Sequence, residues 1–422
     1  MKVLVVGSGG REHALVRAFA RDARLSVTCA PGNAGIAQDA RLHAIEVGDV
    51  DALLALVERE SIDLTVVGPE LPLDRGIVDR FGVAGRRIFG PSGAAAQLEC
   101  SKAFAKAFMT RHGIPTARFR TCESAADAYA VLDRGELGLP VVVKADGLAA
   151  GKGVVVAATV DEAREAVRAT MEDRQFGSAG ARVVLEECLS GPEVSFFAVC
   201  DGRTAIPIGT AQDHKRIFDG DRGPNTGGMG AFAPSPLADD AMRDRVLREI
   251  VEPVMNGMRA EGHAYRGFLY VGLMLTCDGP RVIEFNVRFG DPEAQAVLPL
   301  VESDLFELLS AAADGRLEGQ RVALRADVSV GVVLASAGYP GPVQSGVPIR
   351  GLAAAAAVPS VQVFHAGTVV KDDQIVTAGG RVLTVVGFGA TFDAAIARAY
   401  DGVSKISFDG MQYRRDIGKK AL

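Results

Sequence analysis

Three β-branched runs in the first hundred residues constrain the fold most, because each ends in a turn rich in glycine or proline. The runs at 2–6, 26–30 and 64–67 have the composition of strands, and turns follow them at 7–11, 31–33 and 68–70. Apolar residues at helical spacing fill the intervals at 12–20 and 50–60. Strands that alternate with helices predict a parallel α/β sheet, whose ligands lie beyond the carboxyl ends of the strands. We therefore expect the three turns to border one pocket.

The pattern changes after residue 101. Helices are expected at 101–112 and 160–171, and strands at 141–144, 153–157 and 182–186. Strand patterns without intervening helices then follow at 193–200, 203–210, 268–276 and 280–286. Such a succession predicts antiparallel strands and an α+β domain. The polar stretch 313–320 has the composition of a linker, and a final block of short strands ends in a helix at 392–404.

Charge and composition exclude several classes of function. The chain has 422 residues and a net charge of −6, with 48% hydrophobic and 23% charged residues. This balance is typical of a folded globular protein, and the negative charge argues against a nucleic-acid or anionic-membrane binder. The six cysteines form no C-x-x-C pair, so neither a disulfide framework nor a zinc site is expected. No run approaches the ~20 apolar residues of a membrane helix. Scattered apolar cysteines predict a cytoplasmic location.

The opening turn, Gly-Ser-Gly-Gly-Arg-Glu-His at 7–13, does not fit a dinucleotide-binding fingerprint. That fingerprint needs glycine at position 12, where Glu12 stands, and an acidic residue at the end of the second strand. The glycines could still present backbone N–H groups to an anion, with Arg11 adding a guanidinium group. A phosphorylated small molecule is one interpretation. A tight strand-to-helix turn with a surface arginine is the other, and the turn alone does not separate them.

A second glycine-rich segment, residues 144–153, lies between two predicted strands. It is not a Walker A loop, because its glycine spacing is one residue short and Gly153 replaces the metal-binding Ser or Thr. Backbone amides and lysines could close over a triphosphate, although a flexible turn with solvated lysines has the same composition. Lys144 lies within an apolar strand, where an unpaired ammonium group is costly. Its position therefore predicts an anionic partner.

Residues 282–288 give the most specific signal. Glu284, Asn286 and Arg288 alternate with apolar residues, so a strand places them on one face. Carboxylate and carboxamide oxygens suit Mg²⁺, and an arginine beside them can hold a carboxylate or a phosphoryl group. The alternative is an amphipathic strand with a solvated polar face.

Two further segments are weaker indicators. Glu186, Glu187 and Glu193 lie around a predicted strand end, where they could contact adenine and ribose or be solvated. Residues 223–230 form a polar, glycine-rich loop that suits close approach of small substrates. The preceding His214 is either a general base or a structural hydrogen-bond donor.

Several motifs occur in an order that is similar to one known family. GSGGREHA, APGNAG, VGPE, VVKADGLAAGKGV, PNTGGMGA and VIEFNVRFGDPEAQ together resemble the glycinamide ribonucleotide synthetases of the ATP-grasp superfamily. The resemblance extends over the whole chain, and IEFNVRFGDPE and PNTGGMGA are its most specific parts. Small departures are Ser8, where the family often has Asn, and Cys188, where an aromatic residue is frequent and where the adenine pocket wall would be slightly reshaped.

The resemblance implies an activity and its partners. ATP would drive ligation of glycine to 5-phosphoribosylamine through glycyl phosphate, giving glycinamide ribonucleotide, ADP and phosphate in the second step of de novo purine biosynthesis. ATP would be a co-substrate, Mg²⁺ or Mn²⁺ the metal, and small molecules the only partners, with no nucleic acid and no membrane. The protein would be a monomer, or at most a weak dimer.

The resemblance also implies three domains. Residues 1–101 would form an N-terminal Rossmann-like parallel α/β domain. Residues 102–324 would form the ATP-grasp domain, with a small lid subdomain at about 118–190. Residues 325–422 would form a C-terminal β-rich α+β domain that packs on the first.

Site roles follow from the resemblance position by position. Catalytic roles fall to Lys144, Arg288, Asp213 and Lys215, and metal binding to Glu284 and Asn286. ATP would be bound by Lys102, Lys144, Gly147, Gly151, Lys152, Gly153, Glu186, Glu187, Leu189 and Glu193. The other substrates would be bound by Gly9, Gly10, Asn33, Glu70, Asn225, Thr226, Gly228, Met229, Arg288 and Asp291.

Two rival functions are weighed against this one. The first is another ATP-grasp ligase or a carboxylase that acts on a different acid. The second is a non-catalytic nucleotide-binding regulator built on the N-terminal α/β domain. The regulator leaves the alternation of Glu284, Asn286 and Arg288 unexplained.

Overall fold

A computed structural model describes residues 1–148 and 153–422. Its N-terminal part is a parallel sheet with flanking helices, as the first three strand patterns predict. The strands are β1 (Lys2–Gly7), β2 (Ser26–Pro31), β3 (Arg41–Leu42), β4 (Leu64–Val67) and β5 (Ile88–Phe89), in the order β3-β2-β1-β4-β5. The helices are α1 (Gly10–Ala20), α2 (Val50–Glu60), α3 (Glu70–Asp74), α4 (Ile77–Val83) and α5 (Gly93–Cys100). The strand order reverses between β1 and β4, which is where such sheets bind ligands.

A small antiparallel sheet follows the N-terminal part and is called the lid sheet below. Its elements are α6 (Lys102–Arg111), β6 (Phe119–Cys122), α7 (Ala125–Arg134), β7 (Val141–Ala145), β8 (Val154–Ala157), α8 (Val160–Val167) and β9 (Val183–Glu187), with the strand order β6-β9-β7-β8. Val141 and Val143 pack into the core beneath α7 and α8. Because side chains alternate along a strand, Val142 and Lys144 point to the opposite face, which borders the cleft described below.

The central part contributes antiparallel strands, as its sequence predicts. Its elements are β10 (Glu193–Asp201), β11 (Ala205–Asp213), β12 (Arg216–Phe218), β13 (Arg222–Asn225), β14 (Gly230–Ala233), α9 (Asp240–Val246), α10 (Glu252–Ala260), β15 (Arg266–Thr276), β16 (Gly279–Asn286), α11 (Glu293–Val297) and α12 (Leu305–Ala313). The layout predicted from the sequence is confirmed: a parallel α/β unit, a central α+β unit that carries the lid sheet, and a β-rich C-terminal unit.

Three of the C-terminal strands extend the central sheet, and two others form a separate antiparallel pair. The C-terminal elements are β17 (Val328–Ala335), α13 (Leu352–Ala356), β18 (Val361–His365), β19 (Thr368–Lys371), β20 (Gln374–Thr377), β21 (Arg381–Gly389) and α14 (Phe392–Lys405). The continuous order is β16-β15-β10-β11-β14-β17-β21-β18. Strand β14 joins the two parts by pairing with β17, with Ala231 opposite Gly331. This pairing brings the start of β21 to the cleft.

The stretch 313–320 is packed and is not the free linker that its composition suggests. Leu317 is fully buried, and its backbone N–H donates to the Asp201 carboxylate at 2.9 Å. Aromatic side chains also join the units, since the Phe268 ring contacts Phe89 of the N-terminal sheet at a centroid distance of 4.9 Å. Among residues 1–148 and 153–422, no helix has the length and apolar character needed to cross a membrane.

Candidate active site

One cleft gathers most of the residues to which the sequence assigns a role. Its cavity of about 460 Å³ falls within the roughly 300–1,000 Å³ of small-molecule sites. The predicted residues on its wall are Glu70, Lys102, Lys144, Gly147, Gly153, Glu186, Glu187, Leu189, Glu193, Asp213, Lys215, Asn225, Thr226, Glu284, Asn286, Arg288 and Asp291. Gly151 and Lys152 lie outside the described residues.

Strand β16 presents Glu284 and Asn286 to the cleft. In the pairing of β15 with β16, Gly272 lies opposite Glu284 and Tyr270 opposite Asn286. Gly272 leaves room for the carboxylate, since a Cβ atom there would come within 3.2 Å of Glu284 Cγ. Within the described residues neither side chain forms a hydrogen bond or ion pair, so both sets of oxygens are available. The expected common strand face is therefore present for Glu284 and Asn286, and its donor set suits a hard divalent cation. Arg288 lies beyond the end of β16, contrary to the prediction, but it still reaches the cleft.

Positive charges converge on Glu284. Burial alone would raise the pKa of its carboxyl group, but Lys102, Lys215 and Lys144 together lower it to about 2. In the described part of the chain, no cluster of three or more His, Cys, Asp or Glu side chains forms a metal centre. A metal ion at Glu284 and Asn286 would therefore take its remaining ligands from water or from phosphate oxygens, as Mg²⁺ commonly does.

Arg288 is held in place by two acids that precede it in the sequence. Its Nη2 lies 3.0 Å from Glu99 Oε1, and its Nε lies 3.4 Å from Glu70 Oε2. Burial works against the charged form, but Glu99 and Glu70 more than offset it and raise the pKa of the guanidinium group. Glu99 also accepts the backbone N–H of Val287 at 2.7 Å. Its role was not predicted, because nothing in its local sequence marks it.

Lys215 lies among the carboxylates of Asp213, Glu193 and Glu284. Its ammonium group forms an ion pair with Glu193. Burial raises the pKa of Asp213 to about 7; the charge of Lys215 opposes this shift, and the carboxylate of Glu293 adds to it. Glu293 in turn accepts the Tyr270 hydroxyl at 2.9 Å. Asp213 can thus exchange a proton near neutral pH, which suits acid–base work.

Lys144 has a protein partner. Its Nζ lies 2.9 Å from Glu186 Oε1 and donates to the carbonyl oxygen of Ile283 at 3.0 Å. The prediction that this lysine needs an anionic partner is confirmed, but Glu186 supplies that charge. The burial of Lys144 is therefore not by itself a sign of a ligand.

The opening turn does not form an empty anion cradle. The Glu12 carboxylate fills that place: it accepts the backbone N–H of Gly9 at 2.5 Å and the Arg11 Nε–H at 2.6 Å. Arg11 is buried, contrary to the surface-arginine interpretation, and it donates to the carbonyl oxygen of Phe289 at 3.1 Å. Arg11 lines the cleft, so the turn offers its guanidinium group there.

Five predicted substrate residues are absent from the described cleft wall. Asn33 uses its whole side chain internally: its amide donates to the carbonyl oxygens of Ser8 and His365, and its oxygen accepts two backbone N–H groups. A substrate would find no free hydrogen-bonding position on that side chain. The others are Gly9, Gly10, Gly228 and Met229.

Each of these four has a packing reason for its position. Met229 is fully buried against Ile217 and Ala335, so its side chain cannot contact a ligand. Gly228 packs against Pro292, where a Cβ atom would come within 2.5 Å of Cδ. A Cβ atom on Gly10 would come within 2.3 Å of Gln295 Nε2, and one on Gly9 within 2.7 Å of Glu12 Oε2. These glycines permit close packing behind the cleft.

Arg381 is a cleft residue that the sequence does not reveal. It lies at the start of β21 and donates to the carbonyl oxygens of Gly227 and Asp291, the latter at 2.7 Å. Its Nη2 also lies 3.1 Å from the Asp291 carboxylate. No local motif marks Arg381, because its contacts depend on the pairing of distant strands.

His214 lies behind the cleft. The side chain is buried, and in the described residues neither ring nitrogen has a hydrogen-bond partner. Burial, with smaller contributions from Lys420 and Arg414, lowers the pKa of the imidazole to about 4. A general base must reach its substrate. The ring is not part of the cleft wall and donates to no described residue, so neither predicted role is supported; the ring packs edge-on against Phe232.

Comparison with known proteins gives concordant matches. Residues 1–99, 100–294 and 329–420 match family models for the N domain, the ATP-grasp (A) domain and the C domain of phosphoribosylglycinamide synthetase. A phosphoribosylamine–glycine ligase of Ralstonia nicotianae is 52% identical over 424 residues, covering 100% of both chains.

Two solved structures are similar in fold. The crystal structure of a phosphoribosylamine–glycine ligase from Thermotoga maritima has 36% identity and a TM-score of 0.87, over 99% of this chain and 100% of that one. The biotin carboxylase domain of a 2-oxoglutarate carboxylase from Hydrogenobacter thermophilus, crystallised with MgADP and bicarbonate, has 17% identity and a TM-score of 0.76, over 98% of this chain and 91% of that one. At that identity only the fold is shared.

Two substitutions test the structural interpretation of the buried polar residues. His214→Leu should leave the thermal unfolding temperature unchanged or raise it, because an unpaired polar group is removed. Asn33→Leu should lower it clearly, since each buried partner left unsatisfied costs about 1–3 kcal/mol. Circular dichroism melting measures both. Equal destabilisation by the two substitutions would contradict this interpretation.

Proposed function

The chain belongs to the phosphoribosylglycinamide synthetase family, and on that premise we propose how its cleft works. ATP phosphorylates the carboxylate of glycine, and the amine of 5-phosphoribosylamine then displaces the phosphate. The products are glycinamide ribonucleotide, ADP and phosphate. The enzyme is an ATP-dependent carbon–nitrogen ligase of purine biosynthesis.

The observation that carries the proposal is that Glu284, Asn286 and Arg288 line one cleft. The charges of Lys102, Lys144 and Lys215 act on Glu284 there. A carboxylate does not react with an amine at neutral pH, because oxide is its leaving group. In the first step a glycine carboxylate oxygen bonds to the γ-phosphorus as the bond to ADP breaks. In the second step the amine nitrogen bonds to the carbonyl carbon, phosphate leaves with that oxygen, and the nitrogen loses one proton.

The chain's own residues stabilise and position these charges. Lys102 and Lys144 contact the phosphates, and Arg288 holds the transferring group. Gly147 and Gly153 belong to the loop 147–153, to which the family resemblance assigns closure over the phosphates. Asp213 and Lys215 lie around the glycine site. The family resemblance also assigns Gly151 and Lys152 to the phosphates. Adenine would contact Glu186, Glu187 and the backbone near Leu189, and the ribose Glu193.

A divalent cation, Mg²⁺ or Mn²⁺, fits Glu284 and Asn286, whose oxygens have no other partner among the described residues. When bound it would neutralise charge on the phosphate groups. We assign phosphoribosylamine and glycine to Glu70, Asn225, Thr226, Asp291 and Arg11, which line the cleft. Gly9, Gly10, Asn33, Gly228 and Met229 would act through backbone groups or through packing.

Cellular and architectural features remain proposals as well. We keep the division at 1–101, 102–324 and 325–422, with the lid at about 118–190, although the central sheet crosses the last boundary. The small-molecule substrates and the absence of a membrane-spanning helix from the described residues support a cytoplasmic enzyme without nucleic-acid or membrane partners. A monomer, or at most a weak dimer, is the proposed state.

An ADP-release assay tests the proposal and its rival. Glycine together with freshly made phosphoribosylamine should stimulate ADP release, and bicarbonate should not. Glu284→Gln should reduce that release by about 10²-fold or more, because losing several kcal/mol of transition-state stabilisation has such an effect.

A second glutamate substitution, at a residue that does not line the cleft, serves as the control for Glu284→Gln. Glu302→Gln removes an exposed carboxylate and should change neither the turnover nor the thermal unfolding temperature. Near-native turnover of Glu284→Gln would contradict the assignment of Glu284 as a metal ligand. If bicarbonate stimulates ADP release and glycine does not, the protein is a carboxylase. If the protein binds ATP tightly without turnover, it is a regulator.

Asp213 gives a pH dependence with a defined sign. Because burial raises the pKa of its carboxyl group to about 7, the carboxylate forms as the pH rises through that value. We expect kcat/KM for glycine to increase from about pH 6 to about pH 8, since this parameter reports ionisations of the free enzyme. Asp213→Asn should lower activity and flatten that limb of the profile. An unchanged acidic limb in the variant would assign it to another group.

The same shift acts in the opposite direction on stability. The folded-state pKa of Asp213 exceeds the unfolded value of about 3.9, so the folded protein binds this proton more tightly. The contribution of Asp213 to the free energy of unfolding therefore falls as the pH rises toward about 7.

A further inference from the structure

Glu186 is a buried carboxylate that two lysines share. Lys106 Nζ lies 2.7 Å from its Oε2, and Lys144 Nζ lies 2.9 Å from its Oε1. All three side chains are at most 5% exposed. One ammonium group is enough to neutralise a carboxylate, so the trio carries one surplus positive charge where charge is costly.

The two lysines differ in what else holds them. Lys106 donates to Thr116 Oγ1 at 2.8 Å, and that hydroxyl donates to the carbonyl oxygen of Val282 at 2.6 Å. This anchoring lies outside the cleft wall. Lys144 borders the cleft, and among the described residues it donates, besides its ion pair with Glu186, only to the carbonyl oxygen of Ile283 at 3.0 Å. A ligand in the cleft can therefore draw Lys144 away more easily than Lys106.

We propose that Lys106 is a positioning residue, which keeps Glu186 neutralised so that Lys144 is released to the phosphate groups of ATP. The inference rests on the proposed function, because it concerns a lysine that would contact the nucleotide. It extends that function to a side chain outside the cleft.

The charge balance explains why the second lysine matters. Without Lys106, Lys144 would be the sole counter-ion of Glu186 among the described residues. Moving Lys144 to a ligand would then leave the buried Glu186 carboxylate without a counter-ion. ATP would then bind at the expense of that ion pair. The pKa of Lys106 is lowered to about 8, mainly because it is buried; Glu186 opposes this shift and Lys144 adds to it. The two ammonium groups therefore repel each other, which favours the release of one.

Isothermal titration of the full-length protein with MgATP tests the proposal. Lys106→Met, which removes the charge but keeps the length, should raise the Kd for ATP by about tenfold or more. In steady state the KM for ATP should rise while the KM for glycine stays unchanged. Lys106→Arg keeps the charge and should remain close to wild type. In a Lys144→Met background, Lys106→Met should cause little further loss of ATP affinity, because Lys106 acts through Lys144.

Each outcome is decisive. Wild-type affinity in Lys106→Met would overturn the inference, and so would a loss that keeps its full size in the Lys144→Met background or that raises both KM values equally. If Lys106→Met fails to fold, the milder Thr116→Val removes the anchor and should weaken ATP binding alone; unchanged binding would again overturn the inference. If the wild-type protein binds no ATP, the proposed function itself is overturned. If the wild-type protein binds ATP and only the variants behave unexpectedly, the role of Lys106 is overturned and the proposed function stands.

Discussion

The structure depends on balancing several cations, buried or partly buried, that lie close together on the wall of the cleft. Lys102, Lys144, Lys215 and Arg288 all act on the pKa of Glu284, so their charges lie close together. At an effective dielectric constant of about 20, two like charges 4 Å apart repel by about 4 kcal/mol. Such a group persists because acids are built in beside it: Glu186 for Lys144, Glu193 for Lys215, and Glu70 with Glu99 for Arg288. These acids are resting counter-ions for cations that a polyanionic nucleotide can recruit.

Strand pairing brings those charges together from distant parts of the chain. Pairing of β15 with β16 orients Glu284 and Asn286, and the lid sheet places Lys144 opposite them. The C-terminal strands complete the wall, because β14 pairs with β17 and so carries Arg381 to Asp291. Lys144, Glu284 and Asn286 thus lie on regular strands, which hold geometry more precisely than loops do.

Local patterns in the sequence anticipate the strands and the polar faces they carry. The alternation of Glu284 and Asn286 is enough to predict a shared face, and the apolar run around Lys144 is enough to predict a charged partner. Which partner is not a local property: Glu186 meets Lys144 because β7 and β9 pair. Arg381 and Glu99 escape prediction for the same reason, since their contacts span distant segments.

Composition is also a poor guide to which side chains of a glycine-rich loop face a ligand. Met229 belongs to a motif of the family but packs into the core, and the side chain of Asn33 forms its hydrogen bonds with backbone groups. In both cases the motif marks a backbone shape. The side chain's own contacts, which depend on tertiary packing, decide whether it can touch a substrate.

The central claim is that a carboxylate is activated by phosphoryl transfer in this cleft. Glycine labelled with ¹⁸O in its carboxylate, incubated with the enzyme, ATP and phosphoribosylamine, tests it directly by mass spectrometry of the inorganic phosphate. The account predicts that one labelled oxygen appears in each phosphate released, because that oxygen leaves with phosphorus. Unlabelled phosphate formed alongside glycinamide ribonucleotide would contradict it.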